Sequence, residues 1–142
     1  MRSFSKYLSK TEKDTVKIAN TFSQSIKTNS IIYLVGNVGS GKTYFAKSLA
    51  ENFGIKNMCS STYSYVTSYF GTLNLVHCDL YRCNNTPQVI YDEIIEHLKN
   101  PWLLIIEWPL YQISIPSNSY YVVEITRTLK NDRIYKIKSF VD

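Results

Sequence analysis

One run of eight residues constrains this chain more than any other feature. It reads Gly36, Asn37, Val38, Gly39, Ser40, Gly41, Lys42, Thr43, which is the pattern G-x-x-x-x-G-K-T. Glycines at these positions let backbone N–H groups approach phosphate oxygens, which a side chain would keep away. A short apolar run, residues 31–35, precedes the pattern, and a helical pattern follows it. Strand, glycine loop and helix in this order predict the phosphate-binding loop (P-loop) of a nucleotide-binding protein.

The residues of this loop have roles that follow from phosphate chemistry. Backbone N–H groups of residues 36–43, with the N-terminus of the following helix, would hold the phosphates. The Lys42 ammonium would reach the β- and γ-phosphates, and the Thr43 hydroxyl would be a ligand of Mg²⁺. The guanine-reading motif N-K-x-D is absent from the sequence, which ranks a regulatory GTPase last. The predicted cofactors are therefore ATP and Mg²⁺.

A magnesium site next to a P-loop also needs an acidic residue from a neighbouring strand. Two acids stand directly after apolar runs: Glu107 follows residues 103–106, and Asp79 follows residues 75–78. At both positions a predicted strand would end next to the phosphate-binding loop. From the residues alone, either carboxylate is a candidate ligand.

The remaining pattern predicts the elements around the loop. Residues 2–8 are expected to form a short edge strand, and a helix to begin at Ser9 with Glu12 as the partner of a capping box. Apolar residues then follow at helical spacing: Val16, Ala19, Phe22 and Ile26. The glycine-loop helix is expected to run from Lys42 to about Phe53, with Gly54 as its C-terminal cap.

Further along the chain, strands are predicted at residues 73–76 and 102–106, with a helix between them that begins at Thr86 and Pro87. Residues 120–128 and 134–140 flank a polar turn and predict a hairpin. This order predicts an α/β fold, a single-domain P-loop NTPase sandwich spanning residues 1–142. Its sheet is expected to be mainly parallel, with antiparallel edge strands and helices on both faces.

Composition limits the class of protein and the cellular location expected for this chain. Hydrophobic residues make up 44% and charged residues 19%, which is typical of a globular domain. No apolar run is long enough to span a membrane, and the three cysteines lack a C-x-x-C pair, so we expect a cytoplasmic protein without membrane contact. The net charge is +5, and one reading of it is that basic surfaces meet phosphates or RNA; basic and aromatic residues do not alternate in repeats, so the sequence by itself does not show direct nucleic-acid binding.

Four motifs together resemble one known family. They are the loop at residues 36–43, a segment at residues 60–63 similar to S-P-T-[FY], H-x-D-L-Y-R at residues 77–82, and E-W-P at residues 107–109. In order and spacing the chain resembles the TsaE (YjeE) family, small bacterial ATPases needed to make threonylcarbamoyladenosine in tRNA. The resemblance covers roughly residues 9 to 135. Two departures are Ser61 in place of the family proline and Asn37 in place of an acid.

The resemblance implies a role for each candidate residue. Glu107 would ligate Mg²⁺ together with Thr43, and Asp79 would orient or activate the attacking water. Thr62 would lie in a switch-like loop near the γ-phosphate. His77, beside Asp79, is expected to be structural rather than a second base. The nucleotide itself would be contacted by Trp108 and, at its adenine end, by Thr11, Glu12 and Arg133.

The resemblance also implies a reaction and partners. TsaD and TsaB would transfer threonylcarbamoyl onto the adenosine next to the anticodon of tRNAs that read codons beginning with A. This chain would contact the tRNA only indirectly, and its ATP hydrolysis would reset the complex. Residues 60–70 are polar and rich in tyrosine, so we expect a mobile loop there and slow hydrolysis by the chain alone. Two other readings stay open: a small-molecule kinase, and an assembly factor that binds nucleotide without turnover.

Overall fold

The computed structural model describes residues 2–59, 64–109, 113–117 and 119–142. Within these ranges the chain alternates strands and helices. In chain order the elements are β1 (Arg2–Ser9), α1 (Glu12–Ser23), β2 (Ser30–Val35), α2 (Lys42–Glu51), β3 (Val66–Phe70), β4 (Asn74–Asp79), α3 (Pro87–His97), β5 (Trp102–Glu107), β6 (Ser119–Arg127) and β7 (Arg133–Val141).

All of these strands belong to one sheet, in the order β1-β7-β6-β2-β5-β4-β3. The centre is parallel, because β2 pairs in parallel with both β5 and β6, and β4 pairs in parallel with β5. The edges are antiparallel: β3 against β4 on one side, and β7 against β6 and β1 on the other. The predicted α/β class, the hairpin of β6 and β7 and the edge position of β1 are confirmed.

The helices cover the two faces of the sheet and divide the core in two. α1 and α2 pack against alternate strand residues on one face, among them Leu34, Leu75 and Ile105. α3 packs on the other face, against the intervening residues such as Val76 and Leu104. β2 and β5 therefore read as continuous apolar runs, because both of their faces are covered. No helix within the described ranges is long and apolar enough to cross a membrane.

The predicted start of α1 is wrong by three residues. Ser9 is the last residue of β1, paired with Arg133 of β7, and the helix begins at Glu12 with Thr11 as its N-cap. The Thr11 hydroxyl accepts a hydrogen bond from the Asp14 backbone N–H at 3.2 Å. Strand pairing with a distant segment thus extends β1 past the local helix signal. The face of α1 that is buried consists of Thr15, Ile18, Ala19 and Phe22.

The loop expected at residues 60–70 is a strand in its second half. β3 pairs antiparallel with β4 from Val66 to Phe70, which makes it a sheet edge rather than a mobile loop. Residues 60–63, including Ser61 and Thr62, lie outside the described residues. Thr86 caps α3 as predicted. α2 ends at Glu51 with Asn52 as its C-cap, two residues before the predicted end, and Gly54 lies beyond it with a φ of 77°.

Candidate nucleotide-binding site

The parallel centre of the sheet brings the predicted loop and both predicted acids to one edge. Asp79 pairs with Glu107 across β4 and β5, and Glu107 pairs with Leu34 across β5 and β2. The loop begins directly after Val35, at the carboxyl end of β2. Ligands of open α/β sheets bind in the crevice outside these carboxyl ends. The strand order therefore places the acids beside the loop, as the motifs predicted.

The loop owes its shape to its glycines. Gly39 and Gly41 have φ angles of 80° and 100°, a conformation that strains other residues. Gly36 is required for a different reason, because a Cβ there would stand 2.6 Å from Ser40 Oγ and 2.7 Å from the Ile125 carbonyl oxygen. α2 starts at Lys42 without a side-chain cap, so its first turn keeps backbone donors for an anion.

Lys42 is held inside the loop. It is 6% exposed, and its Nζ donates to the carbonyl oxygens of Gly36 at 2.5 Å and Asn37 at 3.0 Å. The same Nζ lies 4.0 Å from the centroid of the Trp108 ring. Burial lowers the pKa of Lys42, and the negative charges of Glu107 and Asp79 oppose that shift. Within the described residues this cation has neutral hydrogen-bond partners, so it is available to a phosphate.

Glu107 is fixed at both of its oxygens. The Thr43 hydroxyl donates to Oε1 at 3.5 Å, and His77 Nε2 donates to Oε2 at 2.5 Å. The His77 and Glu107 side chains are 8% and 2% exposed, so this pair is buried. Side chains alternate between the two faces of a strand, so His77, two positions before Asp79, lies on the same face of β4 as Asp79. This places His77 beside Glu107. That spacing is the signal that could have placed His77 in the site.

Eight of the predicted site residues line one cavity of about 300 Å³, among them Lys42, Thr43, Asp79, Glu107 and Trp108. Asp79 is half-buried there, and its Oδ1 accepts a hydrogen bond from the Tyr81 backbone N–H at 3.1 Å. In the described part of the chain, no group of three His, Cys, Asp or Glu side chains could hold a metal. A hydroxyl and a carboxylate nevertheless suit Mg²⁺, which keeps several waters and takes phosphate oxygens as further ligands. The donor set fits a magnesium nucleotide.

The residues expected at the adenine end share a second cavity, of about 450 Å³. Thr11, Glu12 and Arg133 line it together with Gly41 and Tyr44. Arg133 also joins the β6–β7 hairpin to the loop, because its Nε donates to the Ser40 carbonyl oxygen at 2.9 Å. The sheet thus brings Arg133 next to Thr11 and Glu12, which are far from it in the sequence, at the end of the phosphate loop.

Trp108 closes one side of the phosphate cavity. Its φ is 57°, and its ring contacts both Lys42 Nζ and the ring of Tyr81, whose centroid is 4.8 Å from that of Trp108. Next to Tyr81 in the sequence, Arg82 is exposed, with Cζ 5.9 Å from the Tyr81 ring centroid. Trp108 therefore lies where a bound nucleotide would change its surroundings.

Comparisons with known proteins identify the family of this chain. The family model described as Threonylcarbamoyl adenosine biosynthesis protein TsaE matches residues 9–135. The tRNA threonylcarbamoyladenosine biosynthesis protein TsaE of Rickettsia typhi is 36% identical over 100 residues, covering 68% of this chain and 69% of that protein. The protein of the same name from Borreliella burgdorferi is 36% identical over 110 residues, covering 75% of this chain and 79% of its own.

A solved structure shows the same fold. The crystal structure of Bacillus subtilis YdiB superposes with a TM-score of 0.74 at 22% identity, covering 99% of this chain and 88% of that one. The family match includes the phosphate loop, both strand-end acids and Arg133. On this match, the chain belongs to the TsaE family.

Proposed function

We propose that this chain is a Mg²⁺-dependent ATPase that acts in the formation of threonylcarbamoyladenosine in tRNA. One observation carries the proposal: a single cavity collects the loop lysine, the loop threonine and the two strand-end carboxylates. Membership of the TsaE family supports the pathway. A nucleotide site with these four groups has the parts that phosphoryl transfer to water requires.

In this proposal the residues divide the work between binding and catalysis. Lys42 and the backbone N–H groups of residues 36–43 bind the phosphates, and Thr43 and Glu107 hold Mg²⁺. Thr11, Glu12 and Arg133 bind the adenine end, and Trp108 covers the phosphates. When bound, Mg²⁺ neutralises charge on the phosphate oxygens. The buried contact of His77 with Glu107 keeps that carboxylate turned toward Thr43.

Asp79 is the proposed catalytic residue, because it is the cavity carboxylate that is not held by a buried partner. Its second oxygen can accept a hydrogen bond from a water and so orient it for attack. The Tyr81 N–H fixes the carboxylate from the opposite side. Thr62, which lies outside the described residues, stays a predicted contributor from the switch-like segment.

We further propose TsaD and TsaB as protein partners and the cytoplasm, where tRNA is modified, as the location. In this account ATP hydrolysis resets the complex after each transfer. The test is tRNA modification over many turnovers in a mixture with TsaD and TsaB, with either this chain or its Asp79→Asn variant. Modification should stop after about one round with the variant. Continued modification over many rounds would argue against the resetting role.

A small-molecule kinase is the second candidate, and one observation favours it. A cavity of about 560 Å³ adjoins the phosphate cavity and is lined by Asn37, Ser40, Trp108 and Arg127 among others. This volume suits an acceptor molecule. Detection of a phosphorylated acceptor would favour the kinase. Nucleotide-dependent complex formation without phosphate release would instead favour a non-catalytic assembly factor.

The contact between His77 and Glu107 gives a prediction about Mg²⁺. Replacing His77 with alanine leaves a carboxylate oxygen buried without its partner, so we expect Glu107 to turn away from Thr43. Losing such a supporting contact typically costs about 10- to 100-fold in metal affinity. The Mg²⁺ concentration that half-saturates ADP binding in calorimetry should rise by that factor, and Glu107→Gln should show a similar rise.

The matched control is His97→Ala. His97 is also hydrogen-bonded, to Ser68 Oγ at 2.8 Å, but it ends α3 on the opposite face of the sheet. Its replacement should leave the Mg²⁺ dependence unchanged. An equal effect of the two histidine variants would show that the loss reflects general destabilisation.

The two tryptophans give a prediction about nucleotide binding. Trp108 stacks on Lys42, whereas Trp102 begins β5 at the opposite end of the same strand. Adding Mg²⁺ and ATP should therefore change the fluorescence of Trp108 and leave that of Trp102 nearly constant. The signal should survive in Trp102→Phe and vanish in Trp108→Phe. The reverse result would place the nucleotide elsewhere.

A further inference from the structure

Where the sheet consists of β1, β7 and β6, one of its faces is not covered by any helix of the described residues. Even-numbered residues of β1, β7 and β6 lie side by side on this face, with Arg2 opposite Phe140, Phe4 opposite Lys138 and Lys6 opposite Lys136. It is the face that carries α3, because Tyr120 contacts Tyr33, which packs on the α3 cluster. Among the described residues, the strands that contribute to that cluster are β2, β3, β4 and β5. β6, β7 and β1 contribute none of its described residues.

This face, which we call the basic sheet face, carries a concentrated positive charge. Its cations are Arg2, Lys6, Lys136 and Lys138, and Glu124 is its acid. Lysines on an edge strand often serve only to prevent edge-to-edge aggregation. That explanation covers β1 but not β7, which has a paired strand on each side. Protection of an edge therefore does not explain the charge on β7.

Apolar side chains are exposed among these cations. Phe4 is 59% exposed and Leu8 53%, and the Tyr120 ring stacks on Phe140 with centroids 4.6 Å apart. The Arg2 guanidinium lies 5.6 Å from the centroid of the Phe140 ring. Protection from aggregation would not leave large apolar groups open to solvent. Aromatic rings between cations on an open sheet are the chemistry that binds unpaired bases and their phosphates.

The basic sheet face also runs toward the nucleotide site. Glu124 and Thr126, at the carboxyl end of β6, line the 560 Å³ cavity together with Ser40 of the loop. A chain lying along β6 would thus reach the phosphate loop without crossing a helix.

We propose that the basic sheet face binds RNA, with a loop of tRNA as its ligand. The choice of tRNA rests on the proposed function, whereas the binding surface rests on the charge and the aromatic rings described above. The linear sequence shows no alternation of basic and aromatic residues, because strand register brings together residues from both ends of the chain.

The test is fluorescence anisotropy with two probes, an unmodified tRNA transcript and a single-stranded oligouridine, without nucleotide or partner proteins. The variant Lys6→Glu with Lys138→Glu reverses two exposed charges on the face. Its matched control, Lys17→Glu with Lys47→Glu, makes the same charge change on exposed positions of α1 and α2. Thermal unfolding of each variant checks that it is folded.

The face variant should bind both probes at least tenfold more weakly. Its slope of log affinity against log salt should fall by about 1.4, because each lost contact with a single-strand phosphate removes about 0.7. Phe4→Ala should weaken oligouridine binding by about fivefold or more at an unchanged salt slope. The control should stay within about threefold of the unmodified chain.

Three results would overturn the proposal. One is equal weakening by the two charge-reversal variants, which would indicate a nonspecific effect of net charge. Another is no RNA binding by the unmodified chain at low salt. The third is binding of an acidic protein, but not RNA, that the face variant abolishes. Because no ATP is present, these outcomes are separate from success or failure of the proposed ATPase.

Discussion

Asp79→Asn is expected to remove most ATP hydrolysis while Mg²⁺-ATP binding stays within a small factor. The amide keeps the size of the side chain and can still accept a hydrogen bond from the Tyr81 N–H. It is a poor acceptor for a water proton, so general-base assistance of roughly 100- to 10,000-fold should be lost. Phosphate release measures the first effect, and calorimetry of ATP in Mg²⁺ measures the second.

Asp92→Asn provides the control for this change. Asp92 is an exposed acid of α3 that accepts a hydrogen bond from Gln88 Nε2 at 2.9 Å, so its replacement should leave both measurements unchanged. Glu107→Gln should show the complementary pattern, with weakened Mg²⁺ dependence of binding. If Asp79→Asn loses Mg²⁺-dependent binding and Glu107→Gln loses only hydrolysis, the two roles assigned here are exchanged.

The second large effect is expected from Lys42→Ala. Lys42 supplies the positive charge inside the loop, where it donates to the carbonyl oxygens of Gly36 and Asn37 and lies over the Trp108 ring. Hydrogen bonds to charged groups contribute about 1.5–3 kcal/mol, so ATP affinity should fall by roughly 10- to 100-fold. Calorimetry of ATP binding measures the loss.

Lys47→Ala is the matched control for the loop lysine. Lys47 is an exposed residue of the same helix, and its replacement should leave ATP affinity unchanged. If Lys42→Ala binds ATP as tightly as Lys47→Ala does, the assignment of residues 36–43 as the phosphate site is wrong.

The parts of this site that the sequence predicts are those set by local pattern. The glycine loop lies between an apolar run and a helix. A short segment of the sequence therefore determines both the conformation of the loop and the strand and helix that flank it. Glu107 and Asp79 follow apolar runs that become parallel strands, and parallel strands end at one edge. The residues at the adenine end were placed by family resemblance, and the cavity they share is consistent with that placement.

The parts that the sequence does not predict depend on pairing between distant segments. β1 extends through Ser9 because it pairs with β7, which overrides the local signal for a helix start. Residues 66–70, expected to be mobile, form a fixed strand because β4 offers a partner edge. The contact of His77 with Glu107 and the basic sheet face both follow from strand register, which no linear motif displays.

The proposed dependence on partners also has a physical basis in this structure. Asp79 is half-buried, and it lines a cavity that is open to solvent. Small errors in the position of a catalytic group cost large factors in rate. A partner surface that closes this cavity would fix Asp79 and exclude water, so hydrolysis by the isolated chain should be slow.

The most direct test of the account is steady-state phosphate release from ATP, measured with the isolated chain and with TsaD and TsaB added. The account predicts release that requires Mg²⁺, is slow for the chain alone, rises with the partners and is lost in Asp79→Asn. Equal rates with and without the partners would contradict partner gating. Absence of Mg²⁺-dependent release from both mixtures would contradict the central claim that this chain is an ATPase.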